Sequence, residues 1–334
     1  MYRIASTFAF VATLLLGASS IFAQTGAVGT ELAMSISPEH PRPGESVMVS
    51  VESYNIDLNR SEAHWFVNDK PIKTGTGGKQ LQVLAGTNGE ATSVRVVVLG
   101  ENGTTYSASI IFRPAEVNLL WQAESYTPPF YKGKALMPYQ GTVLVAAIPS
   151  FSKGTGVMPS ESLIYTWKEG DEVIGDSSGK GKNLFVFQGS IPMRTKTISV
   201  TVESIDHTMV AEESINVSPV APRLLFYEEH PRYGLLFAKA LIGNFFLNED
   251  EVRISAIPFY FETGAKQSKD ISYEWQANYE SMASEKGPSV TLRRASNAAG
   301  QSSLFLEAKS TDLYKTFQAA EERLTIEFPE KNSF

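Results

Sequence analysis

The stretch that decides the fold is Val143-Leu144-Val145-Ala146-Ala147-Ile148-Pro149, because the chain contains it in two versions. The second version is Val252-Arg253-Ile254-Ser255-Ala256-Ile257-Pro258, which keeps apolar residues at alternate positions. Alternation with a period of two is typical of a β-strand that buries one face. A strand repeated at this separation predicts that the chain contains two copies of one domain.

A tryptophan follows the repeated strand in both copies. It lies in Tyr165-Thr166-Trp167 and again, 108 residues later, in Tyr273-Glu274-Trp275. Other matches extend over the full length of both copies. They join Leu119–Glu124 to Leu224–Glu229, Lys134–Leu136 to Lys239–Leu241, Thr197–Val202 to Ser302–Glu307, and Ser204 and Asp206 to Ser310 and Asp312. Residues 116–221 and 222–334 are therefore predicted to be duplicate domains, domain 2 and domain 3.

The first unit, residues 30–115, is predicted to be a looser relative, domain 1. Val47–Val51 alternates like a strand, and Trp65 corresponds to the tryptophans of the two duplicates. Val94–Leu99 and Tyr106–Phe112 are predicted to form a closing hairpin, with turn residues Glu101-Asn102-Gly103 between them. Two packed sheets leave a gap of about 10 Å that an indole fills well. We therefore predict an all-β protein of three tandem Ig-like β-sandwich domains, with Trp65, Trp167 and Trp275 in the cores.

Pro-Arg-Pro-Gly-Glu at residues 41–45, a tryptophan on the third strand and two closing strands resemble bacterial Ig-like and PKD-type domains. The cysteine pair of antibody-type domains is absent, since the chain contains no cysteine. The segment Trp121–Leu136 is also similar to uncharacterised exported proteins of small-genome candidate-phylum bacteria. That second resemblance implies a cell-surface setting and assigns no activity.

Residues 1–23 have the composition of a secretory signal peptide. Arg3 supplies a positive charge, Phe8–Leu16 forms an apolar core, and small residues lead to a predicted cleavage site after Ala23. The alternative is an uncut membrane anchor, but the apolar run is short for a helix that must span the bilayer. We therefore predict an exported protein that is periplasmic, at the cell surface or extracellular. The formal net charge of −7 argues against a nucleic-acid partner, which requires basic patches.

No arrangement of residues indicates catalysis or a cofactor. The histidines lack metal-ligand spacing, and no Gly-x-Ser-x-Gly motif is present. Ser150 and Lys153 satisfy Ser-x-x-Lys, a pattern short enough to arise by chance in a serine-rich loop. Asn248–Glu251 and Glu169–Glu172 offer oxygen ligands for calcium but lack the ligand ladder of an EF-hand, so solvated turns are predicted. The sequence thus predicts a protein without catalytic residues, metal or cofactor.

The most distinctive segment is Tyr126–Gly133. In one interpretation Tyr126, Phe130 and Tyr131 form an exposed aromatic patch for a glycan or protein partner. In the other, Pro128-Pro129 interrupts the first strand of domain 2, which then joins the other sheet at Lys134. A second aromatic run, Phe259-Tyr260-Phe261, is predicted to fill the core rather than to form a binding face, with an exposed Tyr260 as the alternative. The predicted function is a non-enzymatic structural or adhesive rod that binds cell-envelope or surface proteins; the alternative is a glycan-binding accessory protein.

Overall fold

The computed structural model describes residues 32–330 apart from 102, 130, 155, 263–269 and 295–298. The predicted signal peptide and its cleavage site lie outside the described residues. The regular structure within them consists of β-strands and short 3-10 turns, which confirms the predicted all-β class. The strands form three sandwiches in tandem, and each sandwich encloses a separate hydrophobic core.

Domain 1 consists of two antiparallel sheets packed face to face, with strand orders β1-β2-β5 and β4-β3-β6-β7. The strands are β1 (Ala33–Ser37), β2 (Ser46–Glu52), β3 (Glu62–Val67), β4 (Lys70–Thr76), β5 (Gln80–Leu84), β6 (Thr92–Leu99) and β7 (Thr105–Phe112). The closing hairpin predicted from the sequence is β6–β7. Asn102 of its predicted turn lies outside the described residues.

Domain 2 has the sheets β15-β9-β8 and β13-β12-β16-β17, and β14 also pairs with β12. Its elements are β8 (Glu116–Ala123), β9 (Thr142–Ser150), β10 (Ser152–Lys153), β11 (Gly156–Val157), η1 (Ser160–Ser162), β12 (Ile164–Glu169), β13 (Glu172–Val173), η2 (Gly175–Ser177), β14 (Gly179–Lys180), β15 (Leu184–Gln188), β16 (Lys196–Glu203) and β17 (Val210–Val217). Here η marks a 3-10 turn. Among the residues that the structure describes, the short strands β10 and β11 pair only with each other.

Domain 3 repeats this arrangement with the sheets β19-β18-β21-β24 and β20-β26-β25-β22-β23. Its strands are β18 (Arg223–His230), β19 (Gly234–Leu235), β20 (Gly243–Phe246), β21 (Glu251–Phe259), β22 (Ile271–Ala277), β23 (Glu280–Ser281), β24 (Ser289–Arg293), β25 (Gly300–Ser310) and β26 (Ala319–Phe328). Strand β20 runs parallel to β26, whereas the other neighbours are antiparallel.

One tryptophan hydrogen bond recurs in all three domains. The core indole is 0–1% exposed, and its Nε1–H donates to a backbone carbonyl at 2.9 Å. That carbonyl lies two residues before the edge strand of the opposite sheet, β5, β15 or β24. The pairs are Trp65 with Gly78, Trp167 with Lys182, and Trp275 with Gly287. Each indole therefore fills the gap between the sheets and also ties them together, while its polar N–H stays satisfied.

The first strand of domain 2 leaves its sheet, as the sequence indicates, but later than predicted. Strand β8 ends at Ala123, and the chain reaches the side of the second sheet at Pro138, which forms an isolated parallel bridge with Val220, just after the end of β17 at Val217. The predicted crossing point, Lys134, is wrong. Its ammonium nitrogen instead lies 3.3 Å from the ring centre of Trp121, a cation–π contact that holds it beside the first sheet. In domain 3, the pairing of β20 with β26 makes the same crossing.

Two of the sequence matches between the duplicates are shifted in the structure. Leu119 was matched with Leu224, yet Leu224 faces Pro258, and the equivalent Pro149 faces Val117. The true equivalent of Leu224 is therefore Val117, two residues earlier. Because a strand alternates with a period of two, a shift of two residues leaves the pattern of buried positions unchanged.

The sequence match between β16 of domain 2 and β25 of domain 3 is shifted by one residue. Val200 pairs with Trp167, and Leu306 pairs with Trp275, so Val200 and Leu306 are equivalent. The sequence match instead joined Val200 to Phe305. A shift of one residue exchanges the buried and exposed faces. Cross-strand partners, which the sequence does not display, are needed to set this register.

Candidate functional site: the junction between domains 2 and 3

The aromatic segment of domain 2 packs against domain 3. The Tyr126 N–H donates to the Phe261 carbonyl at 2.8 Å. The Tyr131 ring meets the Phe259 ring edge-on, with centroids 6.2 Å apart. A hydrogen bond to Tyr260, aided by burial, raises the pKa of the Tyr131 hydroxyl. The two tyrosines thus belong to the junction between the domains.

Both tyrosines are half-buried, and Phe130 lies outside the described residues. Burial raises the pKa of Tyr126, and burial together with the neighbouring Tyr126 raises the pKa of Tyr273 in domain 3 to about 12. Tyr260 has a left-handed backbone, with φ of 59°, which is rare for a bulky side chain. This aromatic cluster packs one domain on the next, and the tyrosine rings are only partly available to solvent.

Two glutamine side chains cross the junction in opposite directions. From domain 2, Gln140 donates through Nε2 to the Tyr314 carbonyl at 2.6 Å and accepts the Phe317 N–H at 2.9 Å. From domain 3, Gln318 donates to the Tyr139 carbonyl at 2.7 Å. Gln140 is 6% exposed and Gln318 is fully buried. Buried amides that each bond to the backbone of the other domain fix the relative position of the two domains.

The Glu262 carboxylate is the charged group of the junction. It accepts the N–H and the hydroxyl of Thr142 from domain 2, each at 3.0 Å, and lies 2.8 Å from the Lys315 ammonium nitrogen. The two charged side chains are only 8% and 16% exposed. Burial pulls the pKa of Lys315 down, but the hydrogen bond to Glu262 and the charges of Glu262 and Asp312 outweigh it, so the pKa is raised. The Lys315 ammonium group therefore stays charged at neutral pH.

The sequence did not single out Gln140, Glu262, Lys315 or Gln318. All four lie outside the alternating segments, where a polar residue has no periodic signal. The aromatic run Phe259–Phe261 was the nearby feature that the sequence did mark. Core filling was predicted for it, and Phe261 is fully buried, while the other two rings face the junction.

The junction between domains 1 and 2 is more exposed. Arg42 forms an ion pair with Glu213 at 2.6 Å, with 52% and 26% of the side chains exposed. The Asn88 amide donates to the Ser150 hydroxyl at 2.8 Å. An exposed ion pair contributes little, about 0–1 kcal/mol. Domains 2 and 3 are thus joined by buried polar contacts, whereas domains 1 and 2 are joined mainly at the surface.

The other candidate residues stay apart from this junction and from one another. Lys153 is paired with Asp206 at 2.8 Å, and Ser150 accepts the bond from Asn88. Among the described residues, no group of three or more histidine, aspartate or glutamate side chains could hold a metal ion. The neighbours of the histidines are Glu212 for His40, Thr74 and Glu62 for His64, Glu203 for His207, and Tyr233 and Arg232 for His230.

The two acidic loops considered for calcium have structural partners in the described chain. Glu169–Glu172 contains the tight turn between β12 and β13, in which Gly170 has a φ of 59°. Glu169 is ion-paired with Lys196. In the other loop, Glu251 pairs with Arg293 at 2.8 Å. These contacts give both loops a role in the fold.

Fold and junction together define a class: a tandem Ig-like β-sandwich protein in which two domains share a buried polar junction. Within the described chain, no helix has the length and apolar character needed to cross a membrane. No family model matches the sequence, and a search of curated proteins finds no match.

Solved structures of tandem β-sandwich proteins are similar to the chain at low identity. The three N-terminal domains of the bacteriophage RB49 highly immunogenic outer capsid protein are 13% identical, with 90% of this chain and 99% of that one covered and a TM-score of 0.26. The central fibronectin-III array of RIM-binding protein is 10% identical, with 90% of this chain and 96% of that one covered and a TM-score of 0.29. A structure from a 1.5-MDa bacterial ice-binding adhesin is 9% identical, with 90% of this chain and 99% of that one covered and a TM-score of 0.22. Likenesses this distant carry no inference about function.

Proposed function

We propose that the chain is a non-enzymatic, exported protein of the cell envelope or cell surface, a multi-domain rod that mediates protein interaction. The observation that carries the proposal is the junction of domains 2 and 3, where buried amides and an ion pair hold two sandwiches in one orientation. A fixed orientation serves a protein that presents surfaces at a set spacing.

Export is tested by making the full chain in a Gram-negative host and fractionating the cells. The protein is expected in the periplasm or the medium, with a mass that lacks residues 1–23, because the apolar core directs secretion. Leu15→Arg is the control, since a charge in that core is expected to block export. Mature-size protein confined to the cytoplasm, or no effect of Leu15→Arg, contradicts export; an uncut membrane-bound chain indicates the anchor alternative.

The glycan-binding alternative is tested with Tyr131→Ala. The ring packs on Phe259, so its removal is expected to lower the stability of the junction by about 1–3 kcal/mol. Thermal unfolding measures this loss, and a glycan array measures binding in parallel. Tyr54→Ala is the matched control, because Tyr54 is fully exposed and its removal is expected to change neither quantity. Glycan binding that is lost in Tyr131→Ala while Tm stays unchanged supports the alternative instead.

A further inference from the structure

Within the described residues, strand β15 is an edge strand, with β9 on one side and no strand on the other. The Ala147 N–H donates to the Asn183 carbonyl and the Gly189 N–H to the Gly141 carbonyl, both at 2.8 Å, so these bonds bracket the β9–β15 ladder. Bonding alternates along an antiparallel pair, so every second residue directs its N–H and C=O to the free edge. These residues are Leu184, Val186 and Gln188.

No hydrogen bond within the described chain reaches these outward backbone groups. The turn η2 lies close to β15 but is not hydrogen-bonded to it. The strand has no charge, no proline and no bulge, the usual devices that stop an edge from pairing with another strand. Its outward side chains are apolar and half-exposed, 53% for Leu184 and 56% for Val186. The edge is therefore open to another β-strand.

The equivalent edges of the other two domains are protected. In domain 1, the Lys73 ammonium donates to the outward Gln80 carbonyl of β5 at 3.3 Å. In domain 3, β24 ends in Arg293, which is paired with Glu251. Lysine and other charged side chains on an edge oppose pairing. The open edge of domain 2 thus differs from both of its relatives in the same chain.

We propose that β15 pairs with β15 of a second copy of this chain, antiparallel and about a two-fold axis at Val186. Val186 then faces Val186 of the partner subunit, and Leu184 faces Gln188 of the partner subunit. The outward groups of the three residues form about six main-chain hydrogen bonds and join two sheets into one. A closed two-fold contact requires a self-complementary surface, and an uncharged strand brings no like charges together.

The contact is small. One strand edge buries far less than the ~800 Å² per partner of a standard interface, so a dissociation constant on the order of 100 μM is expected. Self-pairing does not depend on export or on the proposed function, because it rests on the backbone and side chains of β15 alone. A weak dimer of this kind is best detected by a covalent trap.

The chain has no cysteine, so a single one can be placed on the axis. In an oxidised sample of mature Val186→Cys, a disulfide-linked dimer is expected, because facing Cα atoms lie about 5.5 Å apart, within disulfide range. Leu184→Cys is the matched control on the same strand. Its two copies would lie roughly 14 Å apart, too far for a disulfide. Equal cross-linking of both variants, or of neither, overturns the proposal.

Sedimentation of the wild type supplies a second readout. Val186→Lys places like charges opposite each other on the axis and is expected to raise the dissociation constant at least tenfold, with an unchanged circular dichroism spectrum. Ile148→Lys is the control on the outward face of β9, 48% exposed and away from the edge. A wild type that stays monomeric at millimolar concentration overturns the proposal. So does a dimer lost in Ile148→Lys but kept in Val186→Lys, which indicates stacked faces.

Discussion

Replacing Trp167 with alanine is expected to destabilise domain 2 by about 4 kcal/mol, the largest effect of any single substitution considered. The indole is fully buried, stacks on Phe185 with ring centroids 5.4 Å apart, and donates to Lys182. Alanine leaves a cavity between the sheets and removes the bond that ties β12 to the start of β15. The expected fall in Tm of the domain 2 transition is roughly 20 °C, measured by calorimetry of the mature chain.

Trp121→Ala is the control within the same domain. Trp121 is half-buried at the rim of the core, under the Lys134 ammonium group. Its removal deletes as many atoms but leaves no closed cavity, so a loss of roughly 1–2 kcal/mol is expected. If Trp167→Ala costs no more than Trp121→Ala, the core indole is not what holds the two sheets together.

Glu262→Ala is expected to uncouple domain 3 from domain 2 at a cost of about 3 kcal/mol. The substitution leaves the Lys315 ammonium group buried with its nearest partner gone, and leaves the Thr142 N–H without its acceptor. Removing one partner of a buried pair costs far more than the pair contributes as a whole. Calorimetry is expected to resolve separate transitions for the two domains. The distance distribution between spin labels at Val173 and Tyr279, both exposed, is expected to broaden.

Glu307→Ala is the matched control for this experiment. Glu307 forms an ion pair with Lys309 at the same 2.8 Å, but the lysine is 50% exposed. An exposed pair contributes at most about 1 kcal/mol, so neither the transitions nor the label distances are expected to move. Equal effects of Glu262→Ala and Glu307→Ala would mean that the junction owes its order to something other than this buried carboxylate.

The two junctions have different consequences for the relative movement of the domains. Domains 2 and 3 are held by buried glutamines and an ion pair, so a change of their angle would expose unsatisfied polar groups. Domains 1 and 2 meet through Arg42 and Glu213 at the surface, where water can replace the contact. One close approach remains there: a Cβ on Gly89, whose φ is 75°, would lie 1.8 Å from the Ser152 carbonyl oxygen. Glycine is therefore required where domain 1 meets domain 2.

The sequence was sufficient to predict the all-β class, the three tandem sandwiches and the closing hairpin β6–β7. It also marked the tryptophans that the structure buries. Alternation along a single strand is a property of neighbouring residues, and the repeat of a whole domain is visible when one stretch of the sequence is compared with another. The sequence did not predict the register between the duplicate domains, because a shift of two residues on β8 preserves the same alternation of buried and exposed positions.

Only the tertiary structure decided the roles of the polar residues between the domains. Gln140 reaches Phe317 across 177 positions, and Thr142 reaches Glu262 across 120. A glutamine in a loop has the same local pattern whether it is solvated or buried in a junction. Its surroundings are set by how two finished sandwiches pack, and the open edge of β15 likewise emerged only once its neighbours were known. Local periodicity encodes the domains because each strand carries its own pattern, whereas contacts between domains depend on residues that no short pattern links.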